Sequence, residues 1–386
     1  MNYLLKEYSD LGVSVEISIL DPQSKIKEFQ VIMHVTQQMA SFSQQLLSIY
    51  EALKRLLTEV VLHNAVAVFA RCFLSDAANQ QVQASNLLSD LLNCSICYVK
   101  QPSLDGSKLS LWLQLQTDVI MKNDGLYFNE RNGYRHYYTA GNTCKKSKVT
   151  ENSYKQTLSL LEVYEKQLKA RGCAIERDCI RTWFFVRDVE VSYQGFVDAR
   201  KENFFRNGLD KDTHFIASTG IEGSTDNPEV KVLMDTYAIS GLDEGQIRFL
   251  YAKNHLNPTY EYGVTFERGV SIDFGDRRKV YISGTASIDD KGMIMHPGDI
   301  VGQVHHTWKN VAALLEEADC TFNDLMQMIV YIRDITDYQC VKNMYKKKFP
   351  GVPQLIVLAP ICRTGWLIEM ECIASKNLCN SNYRDL

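Results

Sequence analysis

Cys362, Arg363, Glu369 and Glu371 lie within ten residues of one another near the end of the chain. The run 366–374 reads as a β-strand, and residues two apart in a strand share a face, which places Glu369 and Glu371 about 7 Å apart on one side. Burying either at a seam between structural units raises its pKa and holds it protonated near neutrality, and a neutral carboxyl can donate a proton. Arg363 is always charged, so it either lowers the pKa of a neighbouring carboxylate or binds an anionic ligand through its bidentate fork. A structural salt bridge and a ligand contact both fit that position. Cys362 reads either as part of a site or as a packed small thiol. Gly284, inside a second strand-like run, marks either a close ligand approach or a β-bulge.

Other reactive residues point to less. Cys94-Ser95-Ile96-Cys97 stands in a strand-like run, where residues three apart face opposite ways, and no second pair follows at zinc spacing. His305 and His306 are adjacent in a helical pattern and cannot converge on one ion. The expectation is no metal and no cofactor. The net charge of −4, from 42 basic and 46 acidic residues, supplies no general field for a polyanion. The one compact basic run, Lys346-Lys347-Lys348, falls at a helix end where cations are favourable anyway, so no nucleic-acid partner is expected. No apolar run approaches the roughly 18 residues that span a bilayer, and the opening residues lack a basic-then-apolar signal. Eleven scattered cysteines suit reduced thiols. A cytoplasmic protein follows as the expectation, with no membrane partner.

The elements that must position these residues are clearest in the final third. Strands 263–274 and 280–288 precede a helix capped by Asp299, whose apolar positions Val304, Trp308, Val311 and Leu315 recur at spacings of three or four. Strand 326–334, a helix through Val341 and Tyr345 stopped at Pro350, and strands 355–361 and 366–374 complete the order ββαβαββ. The order recurs upstream. In the middle third it reads strand 134–140, helix 153–172, strand 180–188, helix 193–205 and strands 214–220 and 229–240. In the first third, strands 13–20 and 29–34, helix 42–57, strand 65–74, helix 80–92 and strands 94–100 and 109–116 follow suit. Such internal repetition predicts three tandem units, at 1–125, 126–255 and 256–386, of class α+β. Two helices cover one face of each sheet, so the other faces must cover one another around a common axis, as an intrachain pseudo-trimer. In 366–374 the face of Trp366, Ile368, Met370 and Cys372 goes to the helices and that of Glu369 and Glu371 to the neighbouring units.

These residues resemble the YjgF/Rid superfamily, also known as the L-PSP endoribonuclease or translation initiation inhibitor family, most strongly over roughly 260–375. The resemblance is carried by Tyr281-Ile282-Ser283-Gly284-Thr285-Ala286-Ser287-Ile288, by Asp299, Gln303 and Asn310, by Tyr331-Ile332-Arg333-Asp334, and by Ile368-Glu369-Met370-Glu371-Cys372-Ile373-Ala374. In the first two thirds it extends to the order of elements and fragments such as Val186-Arg187-Asp188. It implies a chorismate mutase-like fold, trimeric assembly and sites in the clefts between units. Rid deaminases carry an arginine shortly after a proline that ends the second helix, where this chain has Val352-Pro353-Gln354-Leu355-Ile356; Glu369 occupies the place of their water-positioning glutamate. A second branch, the chorismatases, resembles the last third more closely. Gly284-Thr285-Ala286-Ser287 and the gapless spacing of Cys362, Arg363, Leu367, Glu369 and Glu371 match that pattern, with Thr364 where proline is usual.

That likeness implies a hydrolase or lyase of a small carboxylated metabolite, with Glu369 protonating an enolpyruvyl methylene, Cys362 shaping the outcome and Arg363 near an anionic group. It implies substrate contacts from Tyr281, Gly284, Thr285, Ala286 and Ser287. A Rid-type imine deaminase and a non-catalytic sensor or scaffold are the rival expectations, and further association of pseudo-trimers stays open. Aligning the thirds pairs Glu369 with Met234 and with an uncharged residue of 109–116, so one cleft of three is expected to be chemically complete.

Overall fold

The computed structural model describes residues 1–22, 26–144 and 151–386. The first third holds β1 (Asn2–Tyr8), β2 (Val13–Leu20), β3 (Glu28–Val35), α1 (Phe42–Leu56), β4 (Ala65–Leu74), α2 (Ala77–Leu88), β5 (Ser95–Lys100) and β6 (Leu109–Thr117). The middle holds β7 (Lys122–Asn123), β8 (Tyr127–Arg131), β9 (Tyr134–Asn142), α3 (Ser153–Lys169), the single turn α4 (Ile175–Asp178), β10 (Cys179–Val186), α5 (Val189–Arg206), β11 (Ala217–Glu222) and β12 (Val232–Ser240). The last holds β13 (Ile247–Leu250), β14 (Gly269–Asp273), β15 (Arg277–Ala286), α6 (Ile300–Glu317), β16 (Leu325–Ile332), α7 (Tyr338–Lys348), β17 (Gln354–Leu358) and β18 (Ile368–Asn377).

The strands form three six-stranded sheets of one topology: β1-β2-β3-β6-β4-β5, β7-β8-β9-β12-β10-β11 and β13-β14-β15-β18-β16-β17. The fold is α+β in three tandem units. The first and last units carry one edge strand more than the sequence pattern reveals and the middle unit two, β7 and β8; β1 is largely exposed, while β7, β8 and β13 are only two, five and four residues long. Such edges bury too little to leave a period-2 signature. Lys122–Asn123 pairs in the second sheet and Ile247–Leu250 in the third.

Within each sheet one parallel pair flanks the antiparallel ladder, and this pair fixes the correspondence of units: Leu74 opposes Lys100, Val186 opposes Glu222, and Ile332 opposes Leu358. The helices cover the outer faces, α6 starting at its Asp299 cap, whose carboxylate accepts the Gly302 N–H at 3.0 Å. The inner faces meet in a dry aromatic cluster from all three units, with Phe69 against Trp112 at 5.4 Å and Tyr237 against Tyr138 at 4.9 Å and Tyr281 at 5.6 Å. Each such buried ring contributes about 1.5–3 kcal/mol, the main force closing the units on one another. The seams run head to tail. Ser95 donates to the Tyr138 carbonyl at 2.8 Å between first and middle units, and the Ser218 N–H donates to Ser283 Oγ at 2.9 Å between middle and last. The Leu358 N–H donates to the Pro102 carbonyl at 2.9 Å between last and first.

On the axis the cluster holds charge. Arg71 donates to Asp235 from Nε at 3.1 Å and Nη2 at 2.8 Å, and Arg181 Nη2 donates to Glu371 at 2.9 Å. Arg71 Nη1 lies 3.8 Å from Glu371, so two cations and two anions from three units alternate in one chain, Asp235–Arg71–Glu371–Arg181. The Arg71 guanidinium lies over Phe69, Trp112, Trp183 and Phe185 at 4.8–5.5 Å.

Candidate functional site

β18 runs between β15 and β16 and presents Glu369 and Glu371 to the seam with the middle unit, while Met370 faces the helices, where the Tyr345 hydroxyl meets its sulfur at 3.6 Å. The two carboxyls meet opposite fates. Glu371 is satisfied by Arg181, by the Trp183 indole N–H at 3.1 Å and by the Thr219 hydroxyl. Glu369 is 6% exposed and accepts no hydrogen bond from any described residue. Its carboxyl opens into a narrow pocket of about 40 Å³ between the middle and last units. Burial and the Glu371 charge, opposed by Arg268 and Arg181, push its pKa up to about 8. It therefore carries a proton at neutral pH.

The close fit beside it depends on a bulge. β15 slips register against β18 between Ile282 and Thr285, and the Gly284 N–H donates to Thr219 Oγ1 across the seam at 2.9 Å. A Cβ on Gly284 would lie 2.0 Å from Glu369 Oε1, so the absence of a side chain here makes room for the carboxyl. Around the pocket stand three arginines without an ion-pair partner among the described residues. Arg200 on α5, 1% exposed, bonds Thr265 and Ser218 and leaves Nη2 unmatched; Arg268, 4% exposed, bonds Asn257 and leaves Nε unmatched. Arg363 is half-buried between the rings of Tyr262 at 4.7 Å and Trp366 at 5.0 Å. A neutral acid among buried cations and aromatic rings suits a planar or cyclic anion and a proton-transfer step.

Of the residues expected from sequence, Glu369, Cys362, Arg363, Gly284 and Ala286 line this pocket. Burial and the nearby Glu369 push the Cys362 thiol up to about 12, so it is not a thiolate nucleophile. Arg363 stacks on rings and makes no salt bridge with a described residue, which removes the Arg363–Glu alternative. Three expectations move elsewhere. Tyr281 lies in the axial aromatic cluster, Thr285 turns its hydroxyl to the Ser283 carbonyl at 2.9 Å, and Ser287 donates to Met295 at 2.9 Å, because the bulge resets which residues of β15 face the cleft.

The pairing also corrects the alignment of units. Glu369 opposes Tyr331, Leu233 opposes Phe185 and Ser110 opposes Phe73, so the partner of Glu369 in the middle unit is Leu233, not Met234. Asp235 is then the counterpart of Glu371. The carboxyl remains confined to the third unit. β17, with Gln354, faces the first unit, where its N–H donates to Glu16 at 2.9 Å. At the Glu369 seam the matching strand is β11, and it offers Ser218 and Thr219, again without an arginine. Sequence reading missed Arg200, Arg268, Tyr193 and Tyr262. A signal existed for the first: Arg200 shares the apolar stripe of Phe196 and Phe204 at helical spacing, where a solvated cation would not stand.

A family model described as Endoribonuclease L-PSP matches residues 270–376. A RutC family protein of Pyrococcus abyssi is 31% identical over 99 residues, covering 25% of this chain and 78% of its own. The 2-iminobutanoate/2-iminopropanoate deaminase of Mus musculus is 30% identical over 112 residues, covering 28% of this chain and 79% of its own. A crystal structure of chorismatase superimposes with a TM-score of 0.62 over 80% of this chain and 93% of that one, at 16% identity, a likeness of fold.

Proposed function

Because the chain belongs to the endoribonuclease L-PSP family, we propose that the Glu369 cleft between its middle and last units is an active site, and that it hydrolyses the enol ether of a small carboxylated metabolite in the manner of a chorismatase. The observation that carries this reading is the unpaired, protonated Glu369 among three arginines free of carboxylate partners. Glu369 donates its proton to the enol-ether methylene, and the adjacent carbon becomes an oxocarbenium ion. Water adds to that carbon, and the hemiketal collapses to pyruvate and an alcohol. Arg363 at the aromatic sandwich and Arg200 with Arg268 hold the carboxylates. Cys362 and Ala286 shape the wall, and the glycine at 284 lets the acid approach.

General acids contribute about 10²–10⁴-fold, so Glu369→Gln should lower pyruvate release from chorismate by at least that factor while the protein still folds. Wild-type protein that releases no pyruvate from chorismate removes the proposal. The mouse relative supports a second reading, imine deamination, with Glu369 positioning water. Ammonia release from 2-aminoacrylate would favour it over the first.

A further inference from the structure

Glu371 is placed to govern its neighbour. It shares a strand face with Glu369 about 7 Å away, is itself closed off from the pocket, accepts hydrogen bonds from Arg181, Trp183 and Thr219 of the middle unit, and lies 3.8 Å from the Arg71 guanidinium of the first. Each of these groups presents a donor or a positive charge to the Glu371 carboxyl. Across the Glu369 carboxyl stand the remaining charged and titratable groups of the packed elements: Tyr262 and Arg268 of the segment before β14, Arg181 of β10, Tyr331 of β16, Cys362 and Arg363 of the β17–β18 connection, and Arg200 and Tyr193 of α5. All the formal charges in that ring are positive. Burial favours the neutral acid against these cations, and Glu371 adds a fixed negative charge on the same strand face.

We propose that Glu371 is a positioning residue: its carboxylate, clamped on the axis by groups from the other two units, adds to burial in holding Glu369 in the neutral, proton-donating form. The inference rests on the proton-donor reading of Glu369 and adds how the assembled axis sets that state. One charge at this separation moves a titration by about one to two pH units at the effective dielectric of a protein interior.

Arg181 is the opposing lever, so two variants should act with opposite signs. The readout is the pH titration of the Glu369 carboxyl in substrate-free full-length protein, taken from the infrared difference between each variant and the same variant carrying Glu369→Gln. Glu371→Gln should shift the titration down by about one to two units, and Arg181→Met should shift it up by about one. A merely structural role would lower yield or melting temperature without opposite shifts. Shifts of one sign, or none, overturn the inference. Each single change leaves a buried charge unpaired and endangers folding. The double variant Arg181→Met/Glu371→Gln removes both charges and should shift the titration down, by less than Glu371→Gln alone; an unchanged or raised titration overturns the inference there too. Because no substrate is present, absent turnover of chorismate would refute the proposed reaction without touching this result.

Discussion

Replacing Gly284 with alanine tests the site with a single methyl group. The backbone there is not in the left-handed region, so alanine is conformationally permitted and, by restricting the unfolded chain, would by itself stabilise the fold by about 0.4–1 kcal/mol. The new Cβ, however, lies 2.0 Å from Glu369 Oε1, 2.9 Å from its carboxyl carbon and 3.1 Å from Thr219 Cγ2. Real Cβ contacts essentially never fall below 3.0 Å, so the oxygen must retreat by about 1 Å. The strand behind it is paired on both sides and cannot yield, which leaves rotation of the Glu369 side chain away from its rotamer at about 0.5–1.5 kcal/mol, within an overpacking cost of about 1–3 kcal/mol. The net loss of stability should be about 1–2 kcal/mol by urea denaturation. Catalysis should suffer more, because a 1 Å misplacement of a reacting group costs about 10²-fold. Pyruvate release followed by a coupled dehydrogenase, at saturating and limiting substrate, gives kcat and KM separately, and the loss should fall on kcat. Wild-type kcat in a folded Gly284→Ala protein would show that Glu369 is not the reacting acid.

Other expectations concern the seams and the axis. His34 lies between Asp105 at 3.3 Å and Glu16 at 3.5 Å; burial lowers its proton affinity, but hydrogen bonds and charge from both carboxylates override it and push its pKa up to about 10. Since this exceeds the unfolded value near 6.5, the stabilisation is complete below about pH 6.5 and fades as pH rises to 10; the melting-temperature gap between wild type and His34→Gln should shrink across that window. Arg71→Met should destabilise by about 3–5 kcal/mol in urea because it strands Asp235, and adding Asp235→Leu should recover most of the loss. Arg363→Met should raise KM roughly tenfold or more with little change in melting temperature, since its guanidinium holds no carboxylate, whereas Arg268→Met should lower both affinity and stability, as calorimetry and thermal melts would show.

Much of this was legible in residue order. Period-3.6 stripes placed α1, α3, α6 and α7, and the likeness of 186–188 to 332–334 revealed the repetition, because long elements with one buried face leave a strong pattern. The seam face of β18 followed from alternation, and Glu369 with it. Phase was harder to read. β12 is buried on both faces, so Val-Leu-Met-Asp-Thr-Tyr shows no alternation, and its bulge between Met234 and Thr236 hides the register; only Asp235, as counterpart of Glu371, betrays it. The same loss of phase at Gly284 misdirected Tyr281, Thr285 and Ser287. Arg268 gave no signal because its partners Asn257, Tyr262 and Phe266 gather in the irregular segment before β14, which no local period records.

The alternating charges on the axis have a consequence for how such a polypeptide arises. In an assembly of three identical subunits every residue near the symmetry axis meets two copies of itself, so an inward Glu371 would bring three acids together and an inward Arg71 three bases. Covalent fusion lifts that constraint: once each copy drifts separately, a base in one can answer an acid in the next. The copies thereby become non-interchangeable, and a last unit cut free would inherit a self-repelling centre in place of a matched one.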